Sequence, residues 1–283
     1  RAEQLHYTQV APLDKIPLYR EMPDSPYVQA PYLGTYYYLL NTQRPPVDDV
    51  RVRKALAMSV DRDKLVRSVL QNTAVPAYSI TPPDTLGYFP PKLFDYNPDE
   101  ARRLLAEAGY PNGDGWPGVE ILYNTQEAHR KIAVAIQQMW KSELGIDVTI
   151  ANQEWKVYLD AVTQIDSQVA RRGWIGDYVD ANTFLDMFTT RVGTNNTHYG
   201  DPVYDDLILY KAPKATTREE RYALFTQAET MLMEEMPIIP LYTYTSKHLI
   251  HPSVEGMYAN LMDSLNLKYV KLVPGRTLPE ALR

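Results

Sequence analysis

The sequence predicts an α/β lobe, a mixed sheet flanked by helices. Three observations point there: a β-rich tract at Thr35–Asn41, a strand–helix–strand succession from Val119 to Ile150, and a capped helix running into a strand between Thr217 and Thr245. The first 33 residues carry Pro12, Pro17, Pro23, Pro26 and Pro31, which suit short strands and turns better than a long helix. From Thr35, three consecutive tyrosines followed by Leu39 and Leu40 read as a strand. Asp49 opens a helix with Val52, Leu56 and Val60 on one face, and Asp61 can cap a second through Leu65, Val66, Val69 and Leu70. Prolines from Pro76 to Pro91 mark an irregular excursion. Asn97, Pro98 and Glu100 then start a helix that Gly109 stops.

Val119, Ile121 and Tyr123 alternate as a strand. Thr125 can cap a helix bearing Ile132, Ile136, Met139, Trp140 and Leu144, Gly145 ends it, and Ile146, Val148 and Ile150 alternate again. This is a βαβ unit, whose right-handed crossover makes the strands parallel and gathers ligands at their carboxyl ends, near Asn124 and near Asn152 to Trp155. A third strand, Val169–Trp174, delivers Asp177 at its own carboxyl end. Thr217 with Glu220 forms a capping box ahead of Leu224, Ala228 and Leu232, and Pro237 halts that helix before the strand Ile238–Thr245. Residues 246–283 return to the proline-punctuated character of the first 33. The expected division is therefore a lobe over 34–245, with 1–33 and 246–283 leaving toward another body.

Composition narrows function. The 283 residues carry 29 Lys plus Arg against 35 Asp plus Glu, a formal charge of −6, which argues against a nucleic-acid partner. The absence of cysteine removes disulfides, thiolate metal sites and a cysteine nucleophile. Tyrosine is in excess, 22 against 5 Phe and 4 Trp, which suits either an adaptable binding surface or a tyrosine-rich core. The most apolar stretch, Met236–Ser246, is far shorter than the ~20 residues of a membrane span. The chain starts at Arg1 without an initiator methionine or signal segment, so an upstream portion is expected to have been removed or to be missing.

No nucleophile elbow, phosphate-cradling glycine loop or zinc-protease helix occurs, and no metal or cofactor is expected. A recognition site of opposite charges and aromatics is the alternative. Asp177 can bind an ammonium or merely cap its loop; Arg171 and His129 can meet an anion or lie solvated on the surface; Trp155 and Tyr244 can be ligand platforms or core.

The blocks Thr35–Asn41, Asp48–Leu56, Asp61–Asp63, Pro76–Pro83, Leu104–Tyr110, Leu122–Thr125, Asn152–Lys156 and Val169–Arg171 together resemble the periplasmic oligopeptide-binding proteins of ABC importers, of the OppA and murein-peptide-binding type. The resemblance covers nearly the whole chain, which looks like the carboxyl-terminal half of such a protein: the second lobe plus segments of the first. It implies a short peptide held between two lobes. Asp177 would take its α-ammonium, the backbone of Gly173 and Ile175 would pair with its main chain, and Arg171 and His129 would receive its carboxylate. Tyr37, Asn124, Trp155 and Tyr244 would line the cavity. It also implies a periplasmic location, a membrane ABC permease as partner, and an amino-terminal half that supplies the other wall, here absent or on a separate chain. Two departures are visible: Gly34 and Ile175 stand where some relatives carry a cysteine pair, and Val162 where some carry an arginine. A hydrolase acting through Asp177 and His129, and a binder of unfolded chains, are the competing expectations.

Overall fold

The computed structural model describes residues 5–191 and 194–279. Nine strands are present among them: β1 (Tyr7–Thr8), β2 (Tyr27–Leu40), β3 (Ala74–Pro76), β4 (Val119–Asn124), β5 (Val148–Gln153), β6 (Val169–Ile175), β7 (Ile238–Ile250), β8 (Val254–Glu255) and β9 (Lys271–Leu272). Five longer helices accompany them: α1 (Val50–Met58), α2 (Pro98–Glu107), α3 (Glu127–Leu144), α4 (Trp155–Thr163) and α5 (Arg218–Glu235). Seven strands form one mixed sheet in the order β1-β7-β2-β6-β4-β5, with β3 also on β7, and β8 with β9 makes a small separate ribbon. The expected βαβ unit is β4-α3-β5, with β4 and β5 parallel.

The sheet is covered on both faces. From Leu33 to Leu40 every residue of β2 is buried, which is why the tract reads as a continuous apolar run. Tyr36, Tyr38 and Leu40 pack into a core with Val52 and Leu56 of α1, Leu105 of α2 and Ile136 and Trp140 of α3. Tyr37 and Leu39 point the other way, into a second core with Tyr158 of α4 and Phe225 and Leu232 of α5.

Local signals set most helix ends. Asp49 accepts from Arg51 N at 2.8 Å and Asn97 from Glu100 N at 3.1 Å, while Gly145 closes α3 at φ 74°. Thr125 does not cap α3, contrary to expectation. Its hydroxyl and its N–H both donate to Gln153 O, at 3.0 and 2.8 Å, so the end of the neighbouring strand captures it and Gln126 takes the N-cap position without a side-chain bond. Thr217 caps α5, but Glu220 reaches back to Thr216 N and not to Thr217. The segment after Asp61 is a short turn, Arg62–Lys64, running into a wider π-helical turn, Leu65–Val69.

Two strands are longer than the sequence suggested. β2 begins at Tyr27 and β7 continues to Ile250, so both run through positions 33/34 and 245/246 without a break. Beyond those positions Tyr27 pairs with Leu249 and Tyr7 with Ile250, which brings the two terminal segments together. Residues 1–4 and 280–283 of those segments lie outside the described residues.

Among the described residues, Arg62 and Glu229 are both fully buried. Glu229 of α5 ties down the irregular excursion, accepting from Thr81 N and from Tyr88 Oη, both at 2.9 Å. Burial raises its pKa from 4.5 to about 7. In the unfolded chain the carboxyl ionises first, so raising the pH from about 4.5 to about 7 draws the equilibrium toward unfolding, and the effect levels off above that. At ~1.4 kcal/mol per pH unit the whole window is worth of order 3 kcal/mol. We expect Glu229→Gln to lose less melting temperature between pH 5 and pH 8 than the wild type; parallel pH profiles would show that the carboxyl does not titrate there.

Candidate functional site

The site is built on the carboxyl end of β6. This strand lies between β2 and β4, but its pairing with β4 stops at Leu122↔Ala170, whereas pairing with β2 continues to Gly34↔Ile175. In an antiparallel ladder hydrogen-bonded and non-bonded pairs alternate. Gly176 N donates to Leu33 O at 2.8 Å and Asn41 N to Gln168 O at 3.0 Å, which fixes the phase. The main-chain groups of Ala170, Arg172 and Trp174 thus face β2, and those of Arg171, Gly173 and Ile175 face the side where β4 has ended. Tyr158 Oη donates to Arg171 O. Past that point the Gly173 and Ile175 main chain has no partner on this side among the described residues and forms an open strand edge.

On one face of this edge two crowded positions have room only for glycine. A Cβ on Gly173 would lie 2.4 Å from Tyr244 Oη, and one on Gly34 would lie 2.4 Å from Ile175 Cδ1. Gly34 and Ile175 stand directly opposite each other in the ladder.

At one end of the edge sits Arg171, its guanidinium 4.7 Å from the Tyr36 ring centre. Arg171 Nη1 donates to Asn124 Oδ1 at 3.3 Å and Nη2 to Tyr244 Oη at 3.2 Å, while Nε is buried without a partner among the described residues. His129, on the first turn of α3, is buried with Nδ1 3.3 Å from Tyr36 Oη. Burial, and then the charge of Arg171, lowers its pKa to about 3. His129 is therefore a neutral ring that can offer an N–H, and Arg171 is the cation.

At the other end Asp177 is exposed. Its N–H donates to Thr183 Oγ1 at 3.1 Å, which pins the backbone, but no ion pair or hydrogen bond of its carboxylate occurs among the described residues. The carboxylate does not cap its loop. Its charge reaches Asp186, whose pKa is raised first by burial and then by Asp177. Two carboxylates thus make this end of the edge attractive to a cation.

The aromatics divide. Trp155 is 51% exposed at the start of α4 and stacks on Tyr158, with ring centres 6.0 Å apart. Tyr244 is half-buried and touches Arg171. Tyr37 is only 4% exposed: strand alternation turns it into the second core, so it contributes no exposed surface to an aromatic face with Trp155 and Tyr244. Val162 is likewise buried in that core. Sequence reasoning missed Tyr36 and Tyr158, which position Arg171; both read as ordinary strand and helix residues until the sheet is assembled. A cavity of about 380 Å³ opens beside Arg171, His129 and Tyr244, and a second of about 360 Å³ shares Tyr32, Tyr244 and Thr245 with it. Among the described residues, no three His, Asp or Glu side chains group as metal ligands, and no helix is long and apolar enough to cross a membrane.

Residues 1–196 match the family described as bacterial extracellular solute-binding proteins, family 5 Middle. The chain belongs to this family. It is a family of binding proteins, not of enzymes, which removes the hydrolase expectation. Among curated family 5 relatives, the periplasmic oligopeptide-binding protein OppA of Escherichia coli K12 is 41% identical over 245 residues, covering 84% of this chain and 45% of that protein. The periplasmic murein peptide-binding protein MppA of the same strain is 41% identical over 250 residues, covering 86% and 46%. The chain spans about half the length of the curated relatives it matches. Among solved structures, E. coli MppA superposes with a TM-score of 0.88 at 36% identity, over 96% of this chain and 54% of that one. Haemophilus influenzae OppA in complex with RPPGFSPFR gives 0.85 at 32%, over 96% and 55%. The mixed sheet with helices on both faces is thus the family 5 architecture over about half of those chains.

Proposed function

We propose that the complete protein captures short peptides in the periplasm and delivers them to a membrane ABC importer. This chain supplies one wall of the site, over residues 34–245, while 1–33 and 246–283 belong to a second lobe completed by an amino-terminal half, on the same or a separate chain. The observation that carries the reading is the open main-chain edge at Gly173 and Ile175, with a free carboxylate at Asp177 beyond one end and the Arg171 guanidinium at the other. A peptide laid along it gains backbone hydrogen bonds whatever its side chains are, and its two charged ends set the register. Trp155, Asn124 and Tyr244 flank the edge, and His129 adds a neutral donor beside Arg171. The peptide-binding names of the OppA and MppA relatives support the substrate class, and their periplasmic designation supports the location. Exposed Leu5, Val10, Tyr258, Leu267 and Tyr269 in the terminal segments support a covering body there.

Calorimetric titration of the complete protein with free and N-acetylated trialanine tests this. Free trialanine should bind and be recovered intact, and acetylation should weaken binding by at least ~30-fold, as expected when a desolvated charge loses its partner. Equal affinity for the two would overturn the ammonium site.

A further inference from the structure

The cavity beside Arg171 holds a second cation that the peptide-end reading does not use. Lys247 lines it from β7, together with Arg171, His129 and Tyr244. Its backbone is fixed from both sides: Gln29 of β2 is its register partner, and Ala11 N donates to Lys247 O at 3.1 Å. Its ammonium is poorly satisfied. No ion pair to Lys247 occurs among the described residues, and the bond it makes to Thr73 O is 3.5 Å long, to an oxygen that already accepts from Thr245 Oγ1 at 2.8 Å. The acid on the cavity wall, Asp263, is engaged by His248 Nε2 at 2.7 Å. Burial lowers the Lys247 pKa, and no neighbouring carboxylate opposes that.

Lysine is seldom buried without a partner, because a half-desolvated ammonium costs free energy that an anion would recover. The cavity, at about 380 Å³, has room for a ligand side chain or an added residue. The geometry points to Lys247 as a second carboxylate subsite, beyond Arg171, that selects peptides carrying a further negative charge near their carboxyl end. This rests on the peptide-binding reading above and adds a preference to it. The carboxylate can come from an acidic side chain or from the chain end of a longer peptide, and the two are separable by experiment.

The test is calorimetry on the complete protein, wild type and Lys247→Met, with Ala-Ala-Glu, the neutral isostere Ala-Ala-Gln, and tetraalanine. Methionine keeps the apolar stem and removes the charge. For a side-chain source, the wild type should prefer Ala-Ala-Glu over Ala-Ala-Gln by at least about tenfold, and the variant should lose that preference. For a chain-end source, tetraalanine should weaken by a similar factor in the variant while the Glu/Gln ratio stays near one in both proteins. The ligand-free melting temperature of Lys247→Met should hold or rise, since an uncompensated burial is relieved; Lys247→Gln provides a polar control. A variant with the wild-type Glu/Gln ratio and wild-type tetraalanine affinity overturns the subsite. So does a variant with a lowered melting temperature and equal weakening for all three peptides, which is the mark of a structural lysine. Failure of the wild type to bind any of the three would instead overturn the peptide-binding reading itself.

Discussion

Asp177→Asn in the complete protein is expected to weaken binding of free tripeptides by ~30-fold to a few thousand-fold. The substitution keeps size and hydrogen-bonding capacity and removes only the charge that would face the ammonium. In a closed cavity that ammonium is desolvated, and losing one partner of such a pair costs about 2–5 kcal/mol, at ~1.4 kcal/mol per decade of affinity. The ligand-free melting temperature should stay within about a degree, because the carboxylate is exposed and holds nothing in its own loop; the backbone there is held by Thr183. Affinity unchanged within about twofold would force the ammonium site to be moved elsewhere. N-acetylated peptides should respond little to the substitution, which separates loss of the charge pair from general damage to the edge.

Arg62→Ala is expected to give the largest stability loss. Arg62 is completely buried, and its guanidinium bonds four main-chain carbonyls: Ala77 and Pro240 at 2.8 Å, Ala57 at 3.0 Å and Val60 at 3.1 Å. It also sits 5.0 Å from the Tyr78 ring centre and 4.8 Å from that of Phe94. Burial lowers its pKa only to about 10, so it remains charged at neutral pH. One side chain thus joins the end of α1, the irregular excursion and β7. Alanine would leave those carbonyls unpaired around a void, at a cost of about 3–5 kcal/mol. For a chain of this size that is a fall in melting temperature of roughly 6–15 °C. A fall below about 2 °C would mean that water or neighbouring groups replace the guanidinium, and Arg62→Met would then show the same small change.

The sequence by itself determined the elements whose signals lie within a turn of one another. Asn97 with Glu100 and Gly109 bound α2, Asp49 starts α1, Gly145 ends α3, and the alternation around Ile121 and Val148 makes parallel strands of β4 and β5. It also placed Asp177, Arg171, Gly173 and Ile175 on or just past one strand, because their spacing along the chain is their spacing in the site. Only the tertiary structure decided which of these groups are open. That β6 outruns β4 depends on the register of two strands separated by α3, β5 and α4, and the free edge exists because of it. Tyr36 and Tyr37 are neighbours with the same propensity, yet one supports Arg171 and the other fills the opposite core, since a one-residue step reverses the face. Thr125 carries a good capping side chain, but a strand end from elsewhere in the chain offered it a better partner. The neutrality of His129, the burial of Arg62 and the poorly satisfied ammonium of Lys247 have the same origin. Desolvation is set by everything packed around a group, and most of that comes from residues far away in sequence.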